Sequence, residues 1–174
     1  MGNYTFDSKK LTPKELEDRI LESPEKFGWF LSKGYAPHYY QTLFHTDKAG
    51  DNLTRFRHLV AGRRGGKTLS AAWEVLFYCI HPEQFHLDAH GNTSTKPLWI
   101  WALSSSYKVG RPSYITFRNI CIEAGLVIGK DVKENKGGLR FEFDNGSMVE
   151  FKSAEDPPRS RLGYSLDGRS SLYS

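Results

Sequence analysis

Between Phe56 and Ile80 the chain passes from a short segment that reads as a buried strand, Phe56–Val60, through the octapeptide AGRRGGKT at Ala61–Thr68, into a segment with a different rhythm. There the apolar residues fall at Leu69, Ala72, Trp73, Leu76, Phe77 and Ile80, the three-and-four spacing of an amphipathic helix. A buried strand, a glycine-rich loop and a helix in that order make half of an α/β unit. The remainder of the chain has to be compatible with that geometry.

The loop itself carries chemistry. Small residues let successive backbone N–H groups turn inward, and the N-terminus of the following helix adds the positive end of its dipole, so the place suits a phosphate. In AGRRGGKT, Gly65 and Gly66 permit close approach, Lys67 can reach β- and γ-phosphates, and the Thr68 hydroxyl can bind Mg²⁺. The expected ligand is ATP with Mg²⁺. The loop departs from the usual phosphate-loop pattern at Ala61, where glycine is standard, and at Arg63 and Arg64, where small or neutral residues are usual.

The flanking sequence extends the α/β reading. Thr12-Pro13-Lys14-Glu15 has the form of a capping box opening a helix through Leu16, Ile20 and Leu21. A second helix is expected over Glu25–Leu31, ending near Gly34, and a third from Pro37 through Tyr40, Leu43 and Phe44. The polar run 47–54 reads as a loop and 81–96 as an exposed connection. Leu98–Leu103 is a continuous apolar strand of the kind that suits a central parallel sheet. A helix is expected over Pro112–Ala124 with Ile115, Phe117, Ile120 and Cys121 facing inward. Residues 139–143, the turn Asp144-Asn145-Gly146 and residues 148–151 form a hairpin pattern, and 155–174 is polar and loop-like.

Composition excludes several classes. With 39% hydrophobic and 14% aromatic residues among 174, the chain is too apolar for disorder and too interrupted by charge for a membrane span. Cys79 and Cys121 stand far apart in helical patterns, which points to buried thiols rather than a disulfide framework or a zinc site. No signal-peptide or myristoylation pattern opens the chain. Lys and Arg exceed Asp and Glu by 24 to 20, which permits a polyanionic partner without requiring one.

An Ala followed by Gly-Arg-x-x-Gly-Lys-Thr resembles the deviant phosphate loop of large terminases, the ATP-driven motors that package DNA into tailed-phage heads. Tyr35-Ala36-Pro37-His38-Tyr39-Tyr40-Gln41 resembles that family's adenine-side motif, and Gly146–Ala154 its hairpin. The resemblance implies a three-layer, mainly parallel phosphate-loop ATPase sheet, with a helical preamble over 1–34, a partial ATPase domain over 35–167 and a divergent tail over 168–174. It implies that Gln41 reads the base and that Ala61, Gly62, Arg63, Arg64, Gly65, Gly66, Lys67 and Thr68 hold the phosphates. Arg63 would neutralise charge developing on the γ-phosphate, and Arg64 has no assigned part. The implied partners are double-stranded DNA, the portal and the small terminase subunit, in a ring of identical motor subunits in the host cytoplasm, with no membrane involved.

At the C-terminal end the resemblance fails. Where the family has Leu-Arg-Gly, this chain has Arg161-Leu162-Gly163, with the arginine one place early. Where an apolar strand ending in Asp-Glu should follow, Leu172 and Tyr173 occupy the carboxylate positions. ATP binding is therefore expected more readily than hydrolysis. Asp144, Glu150, Glu155, Asp156 and Asp167 each have a structural explanation and receive no catalytic part. Lys108, Arg111, Lys130, Lys133 and Lys136 could meet DNA phosphates or simply be solvated. Two other readings stay open: a helicase-like ATPase of another nucleic-acid system, and a non-catalytic fragment that binds DNA or a motor subunit.

Overall fold

The structure is a computed structural model and describes residues 12–21, 24–45, 62, 64–85 and 94–155. The expected strand over 56–60, the loop residues Ala61 and Arg63, and the whole segment carrying Asp156, Arg161, Asp167, Leu172 and Tyr173 lie outside them.

The expected N-terminal helices are present, and their ends follow from named residues. Helix α1 (Pro13–Leu21) starts with the reciprocal capping box: Glu15 Oε2 accepts from Thr12 N at 2.7 Å, while Thr12 Oγ1 accepts from Glu15 N at 3.3 Å. Helix α2 (Pro24–Ser32) stops at Gly34, whose φ of 80° lets Tyr35 N reach back to Phe30 O at 2.9 Å. The Tyr35 ring then packs edge-on against Phe30, with centroids 5.1 Å apart. Helix α3 (Tyr39–His45) begins two residues after Pro37.

Helix α4 (Lys67–Ile80) has the bounds that the apolar spacing predicts. The short helix α5 (Pro82–Phe85) falls inside what reads as an exposed connection. Strand β1 (Trp99–Ser104) leads into α6 (Tyr107–Glu123), which starts five residues before the expected Pro112. The reason is Ser106, an extended N-cap residue whose hydroxyl accepts from Val109 N, so Pro112 lies within the helix instead of opening it. That shift also corrects the inward face: Tyr114 is buried and Ile115 is 46% exposed, while Phe117, Ile120 and Cys121 point inward as expected.

Strand β2 (Val132–Asn135) carries no alternation that would mark it in the sequence; it is followed by β3 (Arg140–Phe143) and β4 (Met148–Ser153), the expected hairpin. The turn between β3 and β4 closes through Gly146 N to Phe143 O at 2.9 Å with Gly146 at φ 84°. Among the described residues the sheet order is β1-β4-β3-β2, mixed in direction: β1 and β4 are parallel, and β4–β3 and β3–β2 are antiparallel. The architecture is α/β in the coarse sense of mixed helices and strands.

Helix α6 lies on one face of this sheet, where Phe117, Phe141 and Phe151 meet at centroid distances of 5.2 to 6.2 Å. Each such ring buried from water contributes about 2–3 kcal/mol. Helix α4 packs on α6, and Phe27 and Phe30 of the preamble join the same core through Trp73 and Phe77. The expectation for Leu98–Leu103 needs correction on one point. Strand β1 has its parallel neighbour, yet Trp99, Trp101 and Leu103 on its outward face are 56%, 50% and 70% exposed. Length and apolarity alone do not distinguish a strand covered on both faces from one carrying exposed aromatics.

Candidate functional site: the glycine loop and the helix against it

The chain reverses tightly before α4. Gly65 N donates to Gly62 O at 3.2 Å, and both Arg64 (φ 63°) and Gly66 (φ 72°) are left-handed. Glycine takes that conformation freely, whereas at Arg64 it costs about 1–2 kcal/mol. The turn therefore holds a strained residue whose side chain is exposed. Lys67 reaches back across the loop, its Nζ donating to Gly62 O at 2.8 Å, so the ammonium spans the loop. Thr68 follows in the first turn of α4 and is exposed. Gly66 is the N-cap of α4, and no side chain caps that helix.

Gln41 comes to this corner from α3. Its Oε1 accepts from His38 N at 3.0 Å, the half of a capping box in which the third helical residue reaches back to the N-cap. Its amide nitrogen lies on Gly66: a Cβ placed there would stand 2.5 Å from Gln41 Nε2. Glycine is thus favoured at 66 by its backbone angle, and a side chain there would displace the Gln41 amide above it. A cavity of about 590 Å³ opens beside Gln41, lined by Lys33, Tyr35, Leu69, Trp73 and Glu123 among others. On the other side of α4, Lys67, Thr68, Ala71, Ile100 and Phe151 line a more apolar space of about 460 Å³ between the helix and the sheet.

Of the sequence-predicted site residues, the structure brings Gln41, Gly62, Arg64, Gly65, Gly66, Lys67 and Thr68 to one corner. Ala61 and Arg63 lie outside the described residues. The described carboxylates Asp144, Glu150 and Glu155 have the surroundings expected of structural residues. Asp144 sits exposed in the hairpin turn, and Glu150 accepts from Trp101 Nε1 at 3.1 Å and pairs with Lys152 at 3.3 Å. Glu155 donates its backbone N–H to Ser153 Oγ at 3.0 Å. Among the described residues no group of three or more His, Cys, Asp or Glu side chains could hold a metal ion. Lys108, Arg111, Lys130, Lys133 and Lys136 are all exposed, the first two on α6 and the others in and beside β2. Cys79 and Cys121 are wholly buried free thiols, and burial pushes both well above the ordinary thiol range.

Behind the loop lies a polar cluster that sequence reading misses. Lys26 Nζ donates to Glu74 Oε1 at 3.0 Å, to His45 O at 3.2 Å and to Tyr78 Oη at 3.0 Å. The other carboxylate oxygen of Glu74 meets His45 Nδ1 at 2.5 Å, and His45 Nε2 meets Tyr35 Oη at 3.0 Å. Burial pushes the Tyr35 hydroxyl up to about 12, partly offset by a hydrogen bond with Ser70 and reinforced by the Glu74 charge. Tyr35 thus keeps its proton, and donating it to His45 Nε2 leaves Nδ1–H for Glu74. The Tyr35 ring stacks flat on Trp73, centroids 4.9 Å apart. The available signal was Glu74, a charge beside Trp73 on the stripe that also buries Ser70 and Phe77.

The chain matches no family model, and no curated protein or solved structure matches it significantly. Among the described residues no helix is long and apolar enough to cross a membrane.

Proposed function

We propose that this chain binds Mg-ATP at the glycine loop as the ATPase portion of a DNA-packaging motor of the large-terminase kind. The observation that carries the reading is the seating of Gln41 on Gly66. One side chain lines the cavity beside Tyr35 and Trp73 and also touches the residue that opens α4, which supports a base held near the glycine loop. A glycine turn at an α-helix N-terminus with a lysine across it supports the phosphate end.

The residues present fit the nucleotide. The left-handed Gly66 lets the turn run directly into the N-terminus of α4, whose backbone N–H groups suit a phosphate, and the Lys67 ammonium can exchange Gly62 O for a phosphate oxygen. Thr68 offers its hydroxyl to Mg²⁺, which when bound neutralises charge between the phosphates. Trp73 and Leu69 give the base apolar cover, and the Gln41 amide offers donors toward it while its oxygen is shared with His38 N. In this reading the double-stranded DNA, portal, small-subunit and ring-assembly partners belong to the whole motor in a phage-infected cell, and the described residues contribute nucleotide binding.

A thermal-shift assay tests the proposal. Saturating Mg-ATP, near a hundred times Kd, should raise the melting temperature by about 5–10 °C. Lys67→Ala should abolish that shift, and Gln41→Ala should shrink it for ATP more than for inorganic tripolyphosphate. A shift of undiminished size in Lys67→Ala would place the nucleotide elsewhere and sink the proposal.

A further inference from the structure

Helix α3 is only seven residues long, yet it is fastened to α4 near both ends. Toward its N-terminus Gln41 rests on Gly66; at its C-terminus His45 meets Glu74, two turns further along α4 from Lys67. The second attachment is reinforced by the Lys26–Glu74 ion pair and sealed from water: Lys26, His45 and Glu74 are 9%, 2% and 4% exposed. A buried ionic set seldom surpasses well-packed apolar side chains in stability. Its distinct property is direction, because hydrogen bonds fix distance and angle while apolar packing does not.

Each partner in the set is held from more than one side. Glu74 takes Lys26 on one oxygen and His45 on the other; His45 is oriented again by Tyr35; Lys26 also binds the last backbone carbonyl of α3. The cluster therefore fixes where α3 ends relative to α4, and with a helix this short that also fixes where Gln41 stands above the loop. We infer that Lys26, Glu74 and His45 are positioning residues that hold Gln41 in register with Gly66 and so set the base-side affinity of the nucleotide site. The inference rests on the ATP-binding reading above.

A purely structural cluster would lower stability and leave ligand preference alone. A positioning cluster changes the preference, and changes it through Gln41. The experiment is a double-mutant cycle on the full chain, measuring the affinities of Mg-ATP and of Mg-tripolyphosphate by titration calorimetry in the wild type, Gln41→Ala, Glu74→Gln and the double variant. Tripolyphosphate reports the phosphate site without the base. Gln41→Ala should lower the ATP-to-tripolyphosphate affinity ratio by about fivefold, the value of one hydrogen bond. Glu74→Gln should lower it comparably, and the double variant should be no worse than Gln41→Ala alone. If Glu74→Gln proves unfolded, His45→Gln gives the same reading, since it keeps Lys26 and Glu74 paired. An unchanged ratio in these variants, or losses that multiply in the double variant, overturns the inference and leaves ATP binding standing. Absence of ATP and tripolyphosphate binding in the wild type overturns the ATP reading and this inference together.

Discussion

Replacing Gly66 with alanine probes the corner without any ligand. Two costs should add. The first is conformational: an L-residue at φ 72° costs about 1–2 kcal/mol relative to glycine. The second is steric, because the new Cβ would stand 2.5 Å from Gln41 Nε2 and 3.4 Å from its Cδ. Swinging the flexible Gln41 amide aside takes it from His38 N, and that half of the capping box is worth about 1 kcal/mol. The total is about 2–3 kcal/mol, or roughly 4–12 °C in melting temperature for a chain of this length.

Gly125 supplies the control. It ends α6 at φ 87°, and a Cβ there meets nothing within 4 Å, so Gly125→Ala isolates the conformational cost. Chemical denaturation of both variants by urea, followed by circular dichroism, should show Gly66→Ala destabilised by about 1 kcal/mol beyond Gly125→Ala. In a Gln41→Ala background the excess should vanish, because the obstructing amide is gone. Equal destabilisation of the two glycine variants in the wild-type background would refute the reasoning, since Gln41 would then not occupy the space over the loop.

Other consequences are open to direct measurement. Phe117→Ala should cost about 3–5 kcal/mol in urea denaturation, because its ring contacts Phe141 and Phe151 and it is 2% exposed. At Glu134, burial alone would raise the carboxyl, but hydrogen bonds from Tyr114 Oη and Arg118 outweigh it and hold the group below the ordinary range. A lowered folded-state value means that its stabilisation is present above the unfolded value, about 4.3, and is lost as pH falls through the folded value. Glu134→Gln should therefore lose about 1–2 kcal/mol near neutrality and show a flatter acid limb in denaturation against pH; an acid limb as steep as the wild type's would count against the contact. Cys79 and Cys121, both wholly buried, should react with a thiol reagent only as fast as the protein opens, and immediate labelling in native buffer would contradict their burial.

How far the sequence could be read depended on whether the signal was local. The capping box at Thr12 and Glu15, the left-handed exit at Gly34 and the bounds of α4 are set by residues within one helical turn of the feature they make, and each is found as expected. The hairpin at Asp144–Gly146 is local in the same sense. The start of α6 is obscured in the sequence because Pro112 offers a competing start, whereas the helix opens at Ser106, whose hydroxyl accepts from Val109 N. Strand β2 was missed because Val132–Asn135 has no pattern of its own; pairing with β3 makes it a strand.

The candidate site divides along the same line. The glycines, Lys67 and Thr68 are contiguous, so the phosphate-loop reading rests on their order alone. The meeting of Gln41 with Gly66 joins residues on two helices, and only the family resemblance anticipated that they belong together. Lys26, His45 and Glu74 come from three helices, and no pairwise spacing marks them. Each residue has an ordinary reading when taken alone: a surface lysine, a helix-end histidine, a charge on an amphipathic helix. Burial changes those readings, since a lone carboxylate at the Glu74 position would be strongly disfavoured and its two cationic or hydrogen-bonding partners must arrive together. The helix that follows the glycine loop thus also carries, two turns away, the carboxylate that holds Lys26 and the end of α3. Substitutions at Glu74 should consequently be felt at Gln41 more than at Lys67, because Glu74, Lys26 and His45 directly hold the end of α3, the helix that carries Gln41.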